Sequence, residues 1–279
     1  MHMKTLLVCL TTVEHSHNLM KQAVLLARRH NAHLIGLHTV EALLVYPGIA
    51  VHLPDGAFFA FNESQKEEAA KIKDIFLKHT QNEIFPSEFR LLRAEAVSAG
   101  ERMVESARAV DLVVMAQEDR DVDRADQRNV QVQVIRESGR PVLIIPNAYD
   151  GPEIGSNVVL GWSDTRESAR AAHDMLAVTR EGASVTVLRV GSHERDLLRD
   201  SDGIVLAETL SRHGLKATLE NRVPGSDSIA DVISKVAFER GADLIVTGAL
   251  GHSRAYDFVM GATTYALLDG ATLPVLFSK

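Results

Sequence analysis

A single cysteine, Cys9, stands in a chain of 279 residues. That excludes an internal disulfide framework and fits a reducing compartment. Cys9 lies inside an apolar run, so a buried, inert thiol is expected there rather than a nucleophile. Long hydrophobic runs are missing too, since no stretch approaches the roughly 18 apolar residues of a membrane span. The opening Met1-His2-Met3-Lys4 leads directly into a strand-like segment and has no signal-peptide profile. A surplus of positive charge is also absent. The formal net charge of −7 argues against a general nucleic-acid or anionic-membrane surface. Any anion site has to be local, made from backbone amides and helix ends. No GxxxxGK run followed by Ser or Thr occurs, and no GxGxxG, which removes the P-loop and dinucleotide-fingerprint readings. GxSxG, HExxH and paired-cysteine spacings are likewise missing. What is present is 46% hydrophobic and 24% charged residues, ample for a buried core. A cytoplasmic protein is the expectation.

The chain repeats itself. Val110-Asp-Leu-Val-Val-Met115 is followed, after a polar gap, by Pro141-Val-Leu-Ile-Ile145. Ala242-Asp-Leu-Ile-Val-Thr247 is followed in the same way by Pro274-Val-Leu-Phe277. Such short apolar, β-branched runs mark strands buried on both faces. Helix-like stretches lie between them, around Val130 to Glu137 and Thr263 to Leu268. The beginnings match as well. Leu6 to Leu10 precedes a polar turn and a helix over Ser16 to Arg29. Val158 to Trp162 precedes Ser163-Asp164-Thr165 and a helix over Glu167 to Thr179, with Thr165 or a neighbour as its cap. Second strands are expected at His33 to Val40 and Ser184 to Val190, and each half then supplies a third helix–strand pair.

Alternation of strand and helix implies right-handed βαβ units. The fold expected is α/β: two tandem Rossmann-like domains, each a roughly five-stranded parallel sheet with helices on both faces. The domains are placed at residues 1–147 and 155–279, joined where Asn, Asp, Gly and Pro cluster near Asn147 to Ser156. The register shifts between the halves, from an offset of about 152 at the first helices to about 133 at the last strands. The first half therefore carries an insertion near Glu41 to Asn62, containing Tyr46, Pro47, Pro54, Phe58, Phe59 and Phe61. An apolar, Pro-containing loop of this kind is expected to pack on its own domain or on the other half; a lid or partner-binding surface is the alternative.

In an open parallel sheet, ligands bind beyond the carboxyl ends of the strands. There the second half offers Gly248-Ala-Leu-Gly251-His-Ser-Arg254, and Gly261-Ala-Thr-Thr264 opens the next helix. Glycines let a ligand approach the backbone, and free amides at a helix N-terminus cradle phosphate. Ser253, Thr263 and Thr264 add hydroxyls, and His252 or Arg254 could offset phosphate charge. These residues describe a phosphate-binding loop, although glycines after a strand are also ordinary turn punctuation.

The spacing Gly248-x2-Gly251-x9-Gly261 resembles the ATP-binding motif of the universal stress protein family. The string from Gly248 to Arg254, closing in Leu273-Pro-Val-Leu276, is similar to that of its tandem bacterial members. Gly161-Trp162-Ser-Asp-Thr-Arg-Glu-Ser168 resembles the same subgroup's first-strand ending. The resemblance implies an adenine nucleotide in the second half, ATP or a relative, with Mg. It places adenine at Trp162, Ser163 or Asp164 and at the backbone of Val190. It assigns ribose and phosphates to Gly248, Gly251, His252, Ser253, Arg254, Gly261, Ala262 and Thr263. In the family an Asp hydrogen-bonds adenine where this chain has Ser163, with Asp164 next to it. Ala262 replaces the usual Ser or Thr after the last glycine, a loss of about 1 kcal/mol of phosphate hydrogen bonding.

The first half departs further, with Ala116 and Asp119 at the positions of Gly248 and Gly251. Its loop from Gln117 to Asp126 is rich in acids, and its first-strand turn reads Thr11-Thr12-Val13. Carboxylates repel a polyphosphate, so this half is expected to bind no ATP and to serve structure or interaction. Its acids are expected to form a solvated loop rather than a metal site. His15-Ser-His17 is weak as a metal pair, and exposed histidines of a capping turn are expected. Three functions follow: a nucleotide-binding stress or signalling module, a slow ATPase, or a nucleotide-free scaffold working through protein partners. No catalytic residue and no metal ligand is assigned. Asp257 and His252 are the nearest acid–base candidates, without an identified orienting group. The tandem form implies an intrachain pseudo-dimer and leaves a further homodimer open.

Overall fold

A computed structural model describes residues 2–41, 55–94, 98–119, 127–151, 153–191, 202–249 and 261–279. In the first half, β1 (Thr5–Cys9), α1 (Val13–His30), β2 (His33–Glu41), α2 (Asp55–Thr80), β3 (Ser87–Ala94), α3 (Ala99–Ala107), β4 (Leu112–Ala116), α4 (Gln127–Glu137) and β5 (Val142–Ile145) follow one another. The second half runs through β6 (Asn157–Trp162), α5 (Arg166–Asp174), β7 (Ser184–Val190), α6 (Asp202–Arg212), β8 (Lys216–Arg222), α7 (Ile229–Glu239), β9 (Leu244–Gly248), α8 (Ala262–Gly270) and β10 (Val275–Ser278). The helix expected over Glu167 to Thr179 is shorter. α5 stops at Asp174 and tightens into a 3-10 turn over Met175–Ala177.

Within each half the five strands are parallel, in the order 3-2-1-4-5 and its counterpart. The halves do not form two separate sheets. β5 and β10 pair antiparallel, Leu143 opposite Leu276 and Val142 opposite Phe277, and fuse everything into one ten-stranded sheet. The short, wholly buried β5 and β10 end up central for this reason, and β3 and β8 become the polar edges.

Side chains of consecutive strand residues point to opposite faces, and the packing follows that alternation. Leu6 and Val8 join α1, α2, α5 and α6 in one core layer. Leu7 and Cys9 join α3, α4, α7 and α8 in the other. The repeated acids have a structural job. Asp111 accepts from the amides of Lys4 at 2.6 Å and Thr5 at 3.0 Å, and Asp243 accepts from Gly155, Ser156 and Asn157. Each carboxylate thereby ties the entry of its half's first strand to the strand beside it.

Part of the insertion is a helix rather than a loop. Residues 55–62 form the first turns of the 26-residue α2, and Phe59 is 68% exposed instead of packed. Tyr46, Pro47 and Pro54 lie outside the described residues. Among the described residues, no helix is long and apolar enough to cross a membrane.

Candidate functional site

Strands β6, β7 and β9 end side by side, and a solvent-open cleft of about 620 Å³ lies over their carboxyl ends. Trp162 and Ser163 supply one rim, Leu188 and Val190 the floor from β7, and Ile229 and Ile233 an apolar wall from α7. Gly248, Gly261, Thr263 and Thr264 close the opposite side.

The start of α8 is what gives this cleft polarity. Gly261 is its N-cap, in extended conformation with φ −71° and ψ 155°, and has no side chain to cap the helix. The first amides of a helix lack intrahelical acceptors. Among the described residues nothing accepts from those of Ala262, Thr263 and Thr264, which lie at the positive end of the helix dipole beside the cleft. By contrast α5, next to it, is capped. Thr165 Oγ1 accepts from the Ser168 amide at 3.2 Å, as the sequence suggested. Ser163 belongs to the same hydroxyl cluster, its Oγ lying 3.1 Å from Ser168 Oγ and 3.3 Å from Thr165 Oγ1.

Of the residues singled out in the sequence, Trp162, Ser163, Val190, Gly248, Gly261 and Thr263 line the cleft together. Asp164 is exposed and Ala262 faces away; neither is among the lining residues. Gly251, His252, Ser253, Arg254 and Asp257 lie outside the described residues. The sequence reading missed Ser168, Thr247, Ile229 and Ile233. The isoleucines had a signal. They stand four apart, Ile229 inside and Ile233 two residues after Ser228-Ile-Ala-Asp231, a capping box that fixes where α7 begins.

The first half has a corresponding but narrower recess, lined by Cys9, Thr11, Thr39, Met103, Ala116 and Gln131 among others. Gln131 stands where the second half has Thr264. Its Nε2 donates to the Ala116 carbonyl at 2.6 Å and so occupies the space beside β4. Gln127 Oε1 accepts from the Asp119 amide at 3.2 Å, which folds the loop start over the recess. Burial pushes the Cys9 thiol up to about 12, as expected of an inert core cysteine.

Two expectations for this half need correction. His15 is not an exposed capping residue. It sits in the first turn of α1, its side chain 16% exposed, with Nε2 2.6 Å from Asp119 Oδ2. Asp119 is accordingly paired rather than part of a solvated acidic loop; residues 120–126 are outside the described ones. His17, two residues on, is exposed as expected and points elsewhere. Its Nδ1 lies 3.2 Å from His79 Nε2 on α2. Among the described residues no cluster of three or more His, Cys, Asp or Glu could hold a metal.

The family model of the universal stress protein family matches twice, over residues 2–146 and 156–279. The chain belongs to the universal stress protein family. It is similar over nearly its whole length to a universal stress protein from Archaeoglobus fulgidus, with a TM-score of 0.69, 13% identity and 98% of each chain covered. A putative universal stress protein from Pseudomonas aeruginosa gives a TM-score of 0.61 at 14% identity, covering 99% of this chain and 93% of that one. At such identities the likeness is one of fold. Comparison with curated protein sequences finds no match.

Proposed function

We propose that the second half of this universal stress protein binds an adenine nucleotide, ATP or a close relative, and works as a nucleotide-responsive module. The observation that carries the reading is the uncapped start of α8 facing a cleft with an apolar floor. Phosphates would accept hydrogen bonds from the Ala262, Thr263 and Thr264 amides, and the Thr263 hydroxyl would add one more. A flat base would lie between Trp162 and the side chains of Val190, Ile229 and Ile233. Ser163 would meet the base edge through a hydroxyl that both donates and accepts, a weaker selector than a carboxylate. None of the described lining residues carries a carboxylate, so magnesium would arrive held by the phosphates and water. Gly251, His252, Ser253 and Arg254 belong to this proposal as the rest of the phosphate loop.

The first half would stay empty, because Gln131 and Gln127 hold the corresponding space. The chain's single tryptophan, Trp162, makes the test direct. Titration with Mg-ATP should change its fluorescence saturably, and adenosine should bind more weakly than ATP. A flat response to ATP, ADP and AMP, matched by no heat in calorimetry, would remove the reading.

A further inference from the structure

Helix α8, whose start lies beside the second-half cleft, is contacted at its far end from the first half. β4 ends at Ala116, and the Gln117 amide continues the ladder by donating to the Ile145 carbonyl of β5 at 2.8 Å. Because β5 pairs with β10 across the middle of the sheet, the Gln117 side chain arrives at the far end of α8. There Nε2 donates to the Leu268 carbonyl at 3.0 Å and to the Ala271 carbonyl at 3.2 Å. The last carbonyls of a helix lack intrahelical donors, and Gln117 satisfies one of them. Arg128 of α4 adds two contacts. Its guanidinium carbon lies 5.2 Å from the ring centroid of Tyr265, and it forms an ion pair with Asp269. Both partners are on α8, and a cation suits the C-terminal end of a helix.

These contacts break the approximate two-fold symmetry of the tandem halves. Ala249 is the counterpart of Gln117, and its amide makes the matching bond to Ser278 at 2.8 Å. Its side chain has no donor with which to cap anything in return. At the offset of about 133, the counterpart of Arg128 is Gly261, the residue that leaves the α8 start uncapped. One half has glycine where a ligand would approach, and the other has arginine where support is needed.

We infer that Gln117 and Arg128 are positioning residues for the second-half site: they fix α8 so that its free amides face the cleft. The nucleotide part of this inference rests on the function proposed above. The mechanical part does not.

The test uses the full-length chain with Gln117→Ala, Arg128→Ala and, as a surface control, Arg102→Ala. Among the described residues Arg102 pairs with Glu105 alone, one turn along α3. Amide hydrogen exchange over Tyr265 to Gly270, measured without nucleotide, should speed up in the first two variants and not in the control. Mg-ATP affinity should fall at least about fivefold, the lower end of ordinary coupling between sites, with adenosine affinity unchanged. A general loss of folding would weaken both ligands alike and accelerate exchange everywhere, which would count against a positioning role. Unchanged exchange in α8 would overturn the inference whatever the ligands do. If wild type binds no nucleotide, the proposed function fails, and the exchange result alone decides whether the first half holds α8.

Discussion

Gly248 at the end of β9 lies directly against the backbone of Ser168 in the first turn of α5. A Cβ built on Gly248 would stand 2.6 Å from the Ser168 nitrogen and 2.6 Å from the Glu167 carbonyl carbon. That approach sets the depth of the cleft, since it draws the strand end under the helix start. The first half has Ala116 in the same register. Gly248→Ala must push α5 outward, with a stability loss of about 1–3 kcal/mol. Denaturant unfolding checks the loss. The shifted helix should also change Trp162 emission before any unfolding begins.

The occlusion of the first half can be transplanted. Thr264→Gln copies Gln131, and the new amide should donate to the Gly248 carbonyl as Gln131 does to Ala116. Nucleotide affinity should fall more than about tenfold, since the side chain fills the space beside the phosphates. The melting temperature should stay within a few degrees of wild type, because the first half already tolerates this arrangement. Calorimetry and thermal melting together check both statements.

His30 should make stability depend on pH. It is 6% exposed, and among the described residues neither ring nitrogen has a hydrogen-bond partner. Burial, with Arg29 beside it, lowers its pKa from 6.5 to about 4. Between those values the unfolded chain binds a proton that the folded chain refuses, so stability rises with pH there. The contribution is complete above about pH 6.5 and is lost progressively as the pH falls to about 4, on the order of 3 kcal/mol. Urea unfolding at pH 7 and pH 5 should show the loss. His30→Leu should flatten most of it, leaving a remainder from His79, which burial and His17 also lower.

Arg29 sews the connection between the halves. It pairs with Glu153 and donates to the carbonyls of Ile154 and Val178, each at 2.6 Å. Arg29→Met keeps the aliphatic stem but abandons both carbonyls, a cost of about 2–3 kcal/mol. Glu153 keeps Arg180, at 3.2 Å, so the loss comes mainly from the carbonyls. If the variant unfolds like wild type in urea, this account of the connection is wrong.

The parts legible in the sequence were those governed by local pattern. The apolar runs around Leu6, Val158, Leu112 and Leu244 became strands because nothing else can be done with them inside a sheet. Thr165 was readable as a cap, and Cys9 as core. What escaped were relations between distant residues. That β5 and β10 join two sheets into one depends on both being short, apolar and otherwise unpaired at an edge, which no window of sequence displays. His15 looked like a surface residue until Asp119, more than a hundred residues later, came to rest against it. Asp164 looked like a substitute for a missing carboxylate, but the turn after β6 directs it into solvent. The cleft's apolar wall was half-legible: Ile229 and Ile233 had helical spacing, yet only the fold places that face beside Val190.

The most direct test of the central claim is mass spectrometry of small molecules released on denaturing the freshly purified protein, with Thr264→Gln purified in parallel. The account predicts near-stoichiometric ATP, ADP or AMP from wild type and little from the variant. A wild type that releases none and also fails to take up added Mg-ATP would contradict it, and so would equal amounts from both proteins.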